Sequence, residues 1–360
     1  MKKALIAMSG GVDSSVAAYL TKEAGYECIG ATMKLYQNKD LVLNDRHTCC
    51  SLDDVGDAKA VAASMGIAHY VLNFSDRFAE CVMDKFVEAY ENGITPNPCI
   101  DCNRYLKFEY LMQKAKELDL DYVVTGHYVR IEKDTTTGRY LLKKAIDRTK
   151  DQSYVLYSLT QEQLAHTLFP LGGMTKEEAR TLAQEHGFVN AKKHDSQDIC
   201  FVPDGNYAAF IEQHSSKTYP EGDFVDQDGN VLGRHKGIIR YTIGQRKGLG
   251  LSLKEPMYVK TIDVPNNRVI LGRDADLFST TLYAKHPNWI SIETLTQPLH
   301  VKAKVRYRHT EDWAMIYPCE DGKVQVVFDQ PQRAITKGQA VVFYDNDYVL
   351  GGATICETEI

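Results

Sequence analysis

The chain of 360 residues carries 42 Lys and Arg against 48 Asp and Glu, a formal net charge of -6, with 44% apolar and 25% charged residues. Its length passes the roughly 250 to 300 residues at which single cores stop growing, so more than one domain is expected. The negative balance excludes a general attraction for nucleic acid and leaves any such partner to local basic patches. No apolar run approaches the ~20 residues of a membrane helix, so neither DNA nor a membrane is an expected partner.

The opening MKKALIAM sets two lysines before an apolar run, as a secretory leader would. The run stops at Ser-Gly-Gly after five residues, and it reads as a first strand. Nine cysteines, an odd number scattered over a long chain, point to a reducing compartment, the cytoplasm. Short apolar runs at 4–8, 26–33, 68–74 and 121–125 alternate with amphipathic stretches at 14–24, 53–65, 76–90 and 105–118. That alternation predicts buried parallel strands covered by helices. Phe78, Val82, Phe86 and Tyr90 recur at every fourth position and predict one helix face. A polar stretch at 133–138 interrupts the pattern, and helices are expected at 161–168 and 175–186, the second closed by Gly187. Beyond Pro203, short alternating segments punctuated by Gly, Pro and Asn predict antiparallel β structure. The expected fold is an α/β N-terminal domain with a parallel sheet, a small mainly-β central domain and a C-terminal antiparallel β-barrel. Their boundaries are expected at 1–203, 204–275 and 276–360, with a helical part at about 131–203.

Residues 9–15, SGGVDSS, stand between the first strand and an alanine-rich helix. Two glycines permit a tight turn with exposed N–H groups, and the helix start adds its positive dipole end, so phosphate is the expected guest. The spacing is neither that of a Walker A loop nor G-x-G-x-x-G. A plain turn with Asp13 or Ser14 as N-cap is the alternative that a bare Gly-Gly permits. Met33 ends the second strand and Gly126, in TGHY, follows the fourth; ligands of open parallel sheets lie beyond such carboxyl ends.

TPNPCIDCNRYLKF, residues 95–108, sets Cys99 and Cys102 three apart between a proline-rich turn and a helix. A zinc site would need two more ligands, with His47, Cys49 and Cys50 the nearest, and a thioredoxin-like pair would follow a first strand in a smaller fold. A third reading joins the pair with Cys200 in DSQDICFV. In VKAKVRYRH, residues 301–309, a strand would turn Lys302, Lys304, Arg306 and Arg308 to one face and Val301, Ala303, Val305 and Tyr307 to the other. Such a row of cations suits phosphate, a solvated face being the alternative. Arg246 and Lys247 in GQRKGLGL form a second candidate clamp, while Cys28 and Cys81 read as core thiols.

SGGVDSS resembles the pyrophosphate-binding loop of the ATP pyrophosphatases. With TPNPxxxCNxxxKF, TGHYVR, KDQSYVL, SQDICF, YTIGQRKGLG and GQAVVFY, in this order over essentially the whole chain, it is similar to the bacterial tRNA-specific 2-thiouridylases, the MnmA family. The resemblance implies an adenine-nucleotide alpha-hydrolase-like first domain, the cofactors ATP and Mg2+, and replacement of oxygen by sulfur at C2 of the wobble uridine U34 in tRNAs for Glu, Gln and Lys. ATP would adenylate O2, pyrophosphate would leave into the loop, and sulfur would attack C2 with release of AMP. It further implies that Ala7, Met8, Ser9, Gly10, Gly11, Val12, Asp13, Ser14 and Ser15, with Met33 and Gly126, surround the nucleotide, Asp13 near magnesium. Cys102 would be the nucleophile that frees sulfur from a persulfide on Cys200, loaded by a sulfur-relay protein, and His127 and Gln339 would lie near the reacting oxygen. Asn97, Pro98 and Cys99 would face the target base, and Lys150, Asp151, Gln152, Arg306 and Tyr307 the tRNA of the anticodon stem-loop.

One position departs from the family's commonest form, which has aspartate where Cys99 stands. Cys99, Cys102 and Cys200 would then supply three ligands to a [4Fe-4S] cluster whose fourth iron binds hydrosulfide, and this route is expected over the persulfide, a spectator Cys99 being the alternative. A small-molecule ATP pyrophosphatase and an RNA-binding module with a zinc-stabilised insert are the competing functions.

Overall fold

The apolar run after the two lysines forms β1 (Lys3–Ala7) in the computed structural model, which describes residues 1–36, 52–194, 199–202 and 204–359. His47, Cys49, Cys50 and the first residues of DSQDICFV, 195–198, lie outside the described residues. The chain divides into two units, Met1–Val82 with Cys99–Gly205 and Asn346–Leu350, and Met83–Pro98 with Asn206–Asp345 and Gly351–Ile360.

In chain order β1 is followed by α1 (Val12–Glu23), β2 (Glu27–Lys34), α2 (Leu52–Ser64), β3 (Ala68–Asn73), α3 (Ser75–Phe78), α4 (Asp84–Glu91), α5 (Pro98–Asp101), α6 (Leu111–Glu117), β4 (Tyr122–Val124), β5 (Val129–Lys133), β6 (Tyr140–Lys144), α7 (Gln161–Ala165), β7 (Thr167–Leu168) and α8 (Lys176–Glu185). The first unit is built on a parallel sheet of order β3-β2-β1-β4-β7. Its central strands carry the apolar runs because both faces are covered, and Ala4, Ile6, Val16, Ala17, Val61 and Ala183 share one core. β3 departs from the expected buried strand: it is the sheet edge, with Tyr70 56% and Val71 49% exposed. Residues 167–168, expected as the end of a helix, instead form the short edge strand β7. The polar stretch at 133–138 is the turn between the antiparallel strands β5 and β6, and α8 starts in a Thr175–Glu178 capping box worth about 1 kcal/mol.

Two helical segments contain π-helical turns. Between α3 and α4 the residues Ala79–Met83 are π-helical, and Phe78, Val82, Phe86 and Tyr90 are all buried. A strict four-residue repeat outruns the 3.6-residue turn, and the wider turn takes up the difference. The second segment begins at Pro98, whose missing N–H costs nothing there, seven residues before the expected start; Cys102–Tyr110 is π-helical and leads into α6. Cys99 and Cys102 therefore lie within the helix rather than ahead of it.

In the second unit, α9 (Tyr207–His214) is a helix that the alternating pattern beyond Pro203 did not reveal; Phe210 packs on Phe86 of α4 at 6.1 Å between ring centroids. Next come β8 (Gly222–Val225), β9 (Val231–His235), β10 (Tyr258–Asp263) and β11 (Arg268–Gly272), a sheet of order β10-β11-β8-β9 around Phe224, Val259, Val269 and Leu271. The last six strands are β12 (Phe278–Trp289), β13 (Leu299–Lys304), β14 (Asp312–Pro318), β15 (Val324–Arg333), β16 (Ala340–Asp345) and β17 (Tyr348–Thr358). Their order β12-β15-β14-β13-β16-β17 closes by pairing of β12 with β17, giving the antiparallel barrel that the pattern predicts. β13 stops at Lys304, so the alternation expected over 301–309 holds only for its first part: Val301, Ala303 and Val305 are buried, while Tyr307 lies in a turn, 38% exposed.

Candidate active site

SGGVDSS follows β1 at the carboxyl edge of the parallel sheet. Gly10 has φ of +78°, and a Cβ there would lie 2.3 Å from the Asp54 carbonyl oxygen, so the turn presses against α2 in a way only glycine allows. The Ser14 hydroxyl donates to Gly11 O at 3.0 Å and accepts from the Ser9 N–H at 3.2 Å, and the Ser15 hydroxyl donates to the same carbonyl at 3.1 Å. The N-cap is Gly11, not Asp13 or Ser14, and no side chain caps the helix. The first turn of α1 thus keeps its N–H groups directed at the loop, where an anion would satisfy them. A Cβ on Gly126, beyond β4, would meet Asp13 C at 2.7 Å and Ser14 N at 2.8 Å, which seats the TGHY turn against the same loop. Ala7 and Met33 are half-buried at or near strand ends, and Met8 and Val12 are buried in the sheet–helix core.

Three side chains not singled out from the sequence hold this loop, and a fourth braces α2 behind it. Lys176, the first residue of α8, contacts both oxygens of Asp13 at 2.7 and 2.8 Å, and the Tyr128 hydroxyl donates to Asp13 Oδ1 at 2.8 Å. Asn190 donates from Nδ2 to Gly10 O and Ser15 Oγ, both at 2.9 Å, while its buried Oδ1 has no hydrogen-bond partner among the described atoms. Lys193 bridges Asp54 and Asp57 of α2 at 2.6 Å each. No local pattern marks these residues, because each meets its partner across more than a hundred positions of chain.

Cys200 and Cys102 belong to segments at the same carboxyl edge. The Tyr36 hydroxyl, just past β2, donates to Cys200 O at 3.4 Å, and Phe201 packs on Phe78 at 5.6 Å. The π-helical segment that starts at Cys102 places Phe108 5.9 Å from the His127 ring, beside Phe169. Cys102 is buried, Cys200 half-buried and Cys99 exposed. His127 donates to or accepts from Thr125 Oγ1 at 2.7 Å; complete burial, with the Lys107 charge adding to it, holds its imidazole well below the ordinary range, so it is neutral. Among the described residues no three His, Cys, Asp or Glu side chains are grouped to hold a metal ion. The expected cluster on Cys99, Cys102 and Cys200 does not fit this arrangement, because three ligands of one cluster must share a site.

The family model described as "tRNA methyl transferase HUP domain" matches residues 2–204, "tRNA methyl transferase PRC-barrel domain" residues 208–273 and "Aminomethyltransferase beta-barrel domain" residues 279–355. The "tRNA-specific 2-thiouridylase MnmA" of Clostridioides difficile (strain 630) is 54% identical over 98% of this chain and 98% of its own length. The chain belongs to the tRNA-specific 2-thiouridylase family. Proteins of the same name from Acetivibrio thermocellus, 53% identical over 98% of this chain and 99% of the relative, and from Halothermothrix orenii, 50% identical over 99% of both, agree.

Several residues that the thiouridylase resemblance assigns to tRNA spend their side chains on the protein. Asp151 accepts from Ala145 N at 2.9 Å and from the Ser153 hydroxyl at 2.6 Å, and Gln152 Oε1 accepts from Tyr128 N at 2.9 Å. In the second unit Gln339 donates from Nε2 to the carbonyls of Thr95 at 2.8 Å and Pro96 at 3.1 Å, gripping the turn that carries Asn97 and Pro98. Arg306 donates to Ala334 O and Thr336 Oγ1, both at 2.6 Å, and to Ile243 O at 3.3 Å; Tyr307 stands beside it with Lys304 5.8 Å from its ring.

Proposed function

We infer that the protein is an ATP-dependent tRNA 2-thiouridylase acting on the wobble uridine. The observation that supports this best is a glycine loop with an uncapped helix start, set at the same sheet edge as the segments of two cysteines, in a chain of this family. ATP transfers its adenylyl group to O2 of the uridine, converting a poor leaving group into AMP, and pyrophosphate leaves against the N–H groups of residues 9–15. Met33 and Gly126 border the adenosine. Mg2+ would neutralise phosphate charge, with Asp13, shared with Lys176 and Tyr128, as the carboxylate that would hold it beside the substrate phosphates.

Sulfur comes from a Cys200 persulfide. The Cys102 thiolate attacks the Cys200 sulfur, forming a disulfide and expelling hydrosulfide; the hydrosulfide adds to C2 and AMP departs with the former O2. An external thiol then reduces the disulfide, and a relay protein reloads Cys200. Neutral His127, held by Thr125, is a hydrogen-bonding group near that oxygen rather than a titrating base. Asn97, Pro98 and Cys99 face the flipped base, and Lys150, Tyr307 and the Arg306 turn meet the anticodon arm. On this reading residues 1–203 carry the chemistry, 131–203 its tRNA-binding part, 204–275 a link and 276–360 a barrel against the tRNA, all in the cytoplasm. Among the described residues no helix is long and apolar enough to cross a membrane.

Incubation with ATP, a persulfide donor, a thiol reductant and unmodified tRNA tests the reading. AMP formation together with retardation of the tRNA on mercury gels is expected, whereas pyrophosphate release that ignores tRNA would make the chain a small-molecule ATP pyrophosphatase. Iron and acid-labile sulfide analysis of anaerobically purified protein separates the persulfide from a cluster.

A further inference from the structure

We propose that Lys176 is a positioning residue of the SGGVDSS loop, whose buried ammonium cancels the charge of Asp13 so that the loop receives pyrophosphate with no uncompensated anion facing it. The proposal rests on the reading that this loop binds the pyrophosphate of ATP.

The Lys176 side chain is 10% exposed and the Asp13 side chain 32%, so the ion pair has an inner, cationic side and an outer, carboxylate side. An ammonium removed from water is costly unless it is paired. Its position makes it more so, because Lys176 is the first residue of α8, where the helix dipole disfavours a cation. The Thr175–Glu178 capping box serves the helix, and the Lys176 N–H donates to Asp147 Oδ2 at 3.1 Å. The side chain instead reaches across 163 positions of chain to both oxygens of Asp13, whose Oδ1 also accepts from Tyr128.

The consequence falls on α1. Asp13 is the acidic residue of its first turn, where a carboxylate would itself neutralise the positive end of the helix and repel an incoming anion. Pairing with Lys176 removes that competition and leaves the uncapped N–H groups of the first turn to the phosphate. Lys176 acts through Asp13 and is not a catalytic residue.

The test is calorimetric titration with inorganic pyrophosphate in EDTA, so that no divalent cation bridges the anion to Asp13, on four forms of the full chain. Relative to wild type, Lys176→Met should bind about tenfold more weakly, Asp13→Asn about tenfold more tightly, and the double variant within about threefold, with Lys176→Arg close to wild type. Should Lys176→Met fail to fold, the comparison of Asp13→Asn with the double variant, which removes both charges, carries the same sign. Equal binding by wild type and Lys176→Met, or weaker binding by Asp13→Asn, would overturn the proposal alone; no binding of pyrophosphate by wild type would overturn the nucleotide reading with it.

Discussion

Cys102 opens a π-helical segment and is buried. Cys102→Ser keeps the volume and removes the proposed nucleophile. Thiolation in the mercury-gel assay should fall at least about a hundredfold while ATP binding measured by calorimetry stays within about twofold. His127 offers a separate test through stability. Its folded pKa lies well below its ordinary value, so the unfolded chain binds the proton more readily. The contribution of the neutral, buried ring is complete above the unfolded value of ~6.5 and is lost as pH falls below it. Urea titrations should show wild type losing more stability between pH ~7.5 and ~5 than His127→Gln does. Equal losses would mean that the ring is not held neutral. The family resemblance pointed to this histidine through TGHY, and only the tertiary structure shows its packing against Phe108 and Phe169.

At the scale of elements, the turn after Thr336 explains why Gln339 matters. Gly338 has φ of +90°, and a Cβ there would lie 2.3 Å from Ile94 Cγ2; Thr95 N donates to Lys337 O at 3.1 Å, and Gln339 caps the carbonyls of Thr95 and Pro96. Residues 94–96 are thus clamped by a barrel turn of the same unit. Gln339→Leu leaves two carbonyls unsatisfied and should destabilise the chain by about 1–2 kcal/mol in urea titrations. Limited proteolysis should then cut near residues 94–98 faster than in wild type, and unchanged cleavage would deny the clamp. Gly10→Ala strains a left-handed residue against α2 and should cost about 2–3 kcal/mol while weakening ATP binding, read by thermal melts with and without nucleotide. Regular elements with strong periodicity were legible in the sequence, whereas β7 and α9 were not. Two residues are too short for a pattern, and α9 draws its stability from Phe86 and Asp84 of α4, far away in sequence.

At the scale of the whole molecule, a net charge of -6 opposes tRNA at long range, so binding must come from local cations. Lys302 and Lys304, half-buried on β13 with Trp313 and Tyr307 rings beside them, are candidates of the second unit. The variant Lys302→Ala/Lys304→Ala should weaken tRNA binding and reduce the slope of log affinity against log salt by about one to two units, measured by filter binding over a salt series. A slope equal to that of wild type would place the phosphate contacts elsewhere.

Periodicity and turn chemistry were enough for the α/β-then-β architecture, because these depend on neighbours a few positions apart, while the family was legible only in the resemblance of motifs spread in order along the chain. Tertiary structure alone decided that Lys176, Tyr128 and Asn190 hold the loop and that Arg306 bonds to Ala334 and Thr336. Each of those outcomes joins side chains tens to hundreds of residues apart, and a charge or thiol has no local period that announces which distant partner will neutralise or bury it.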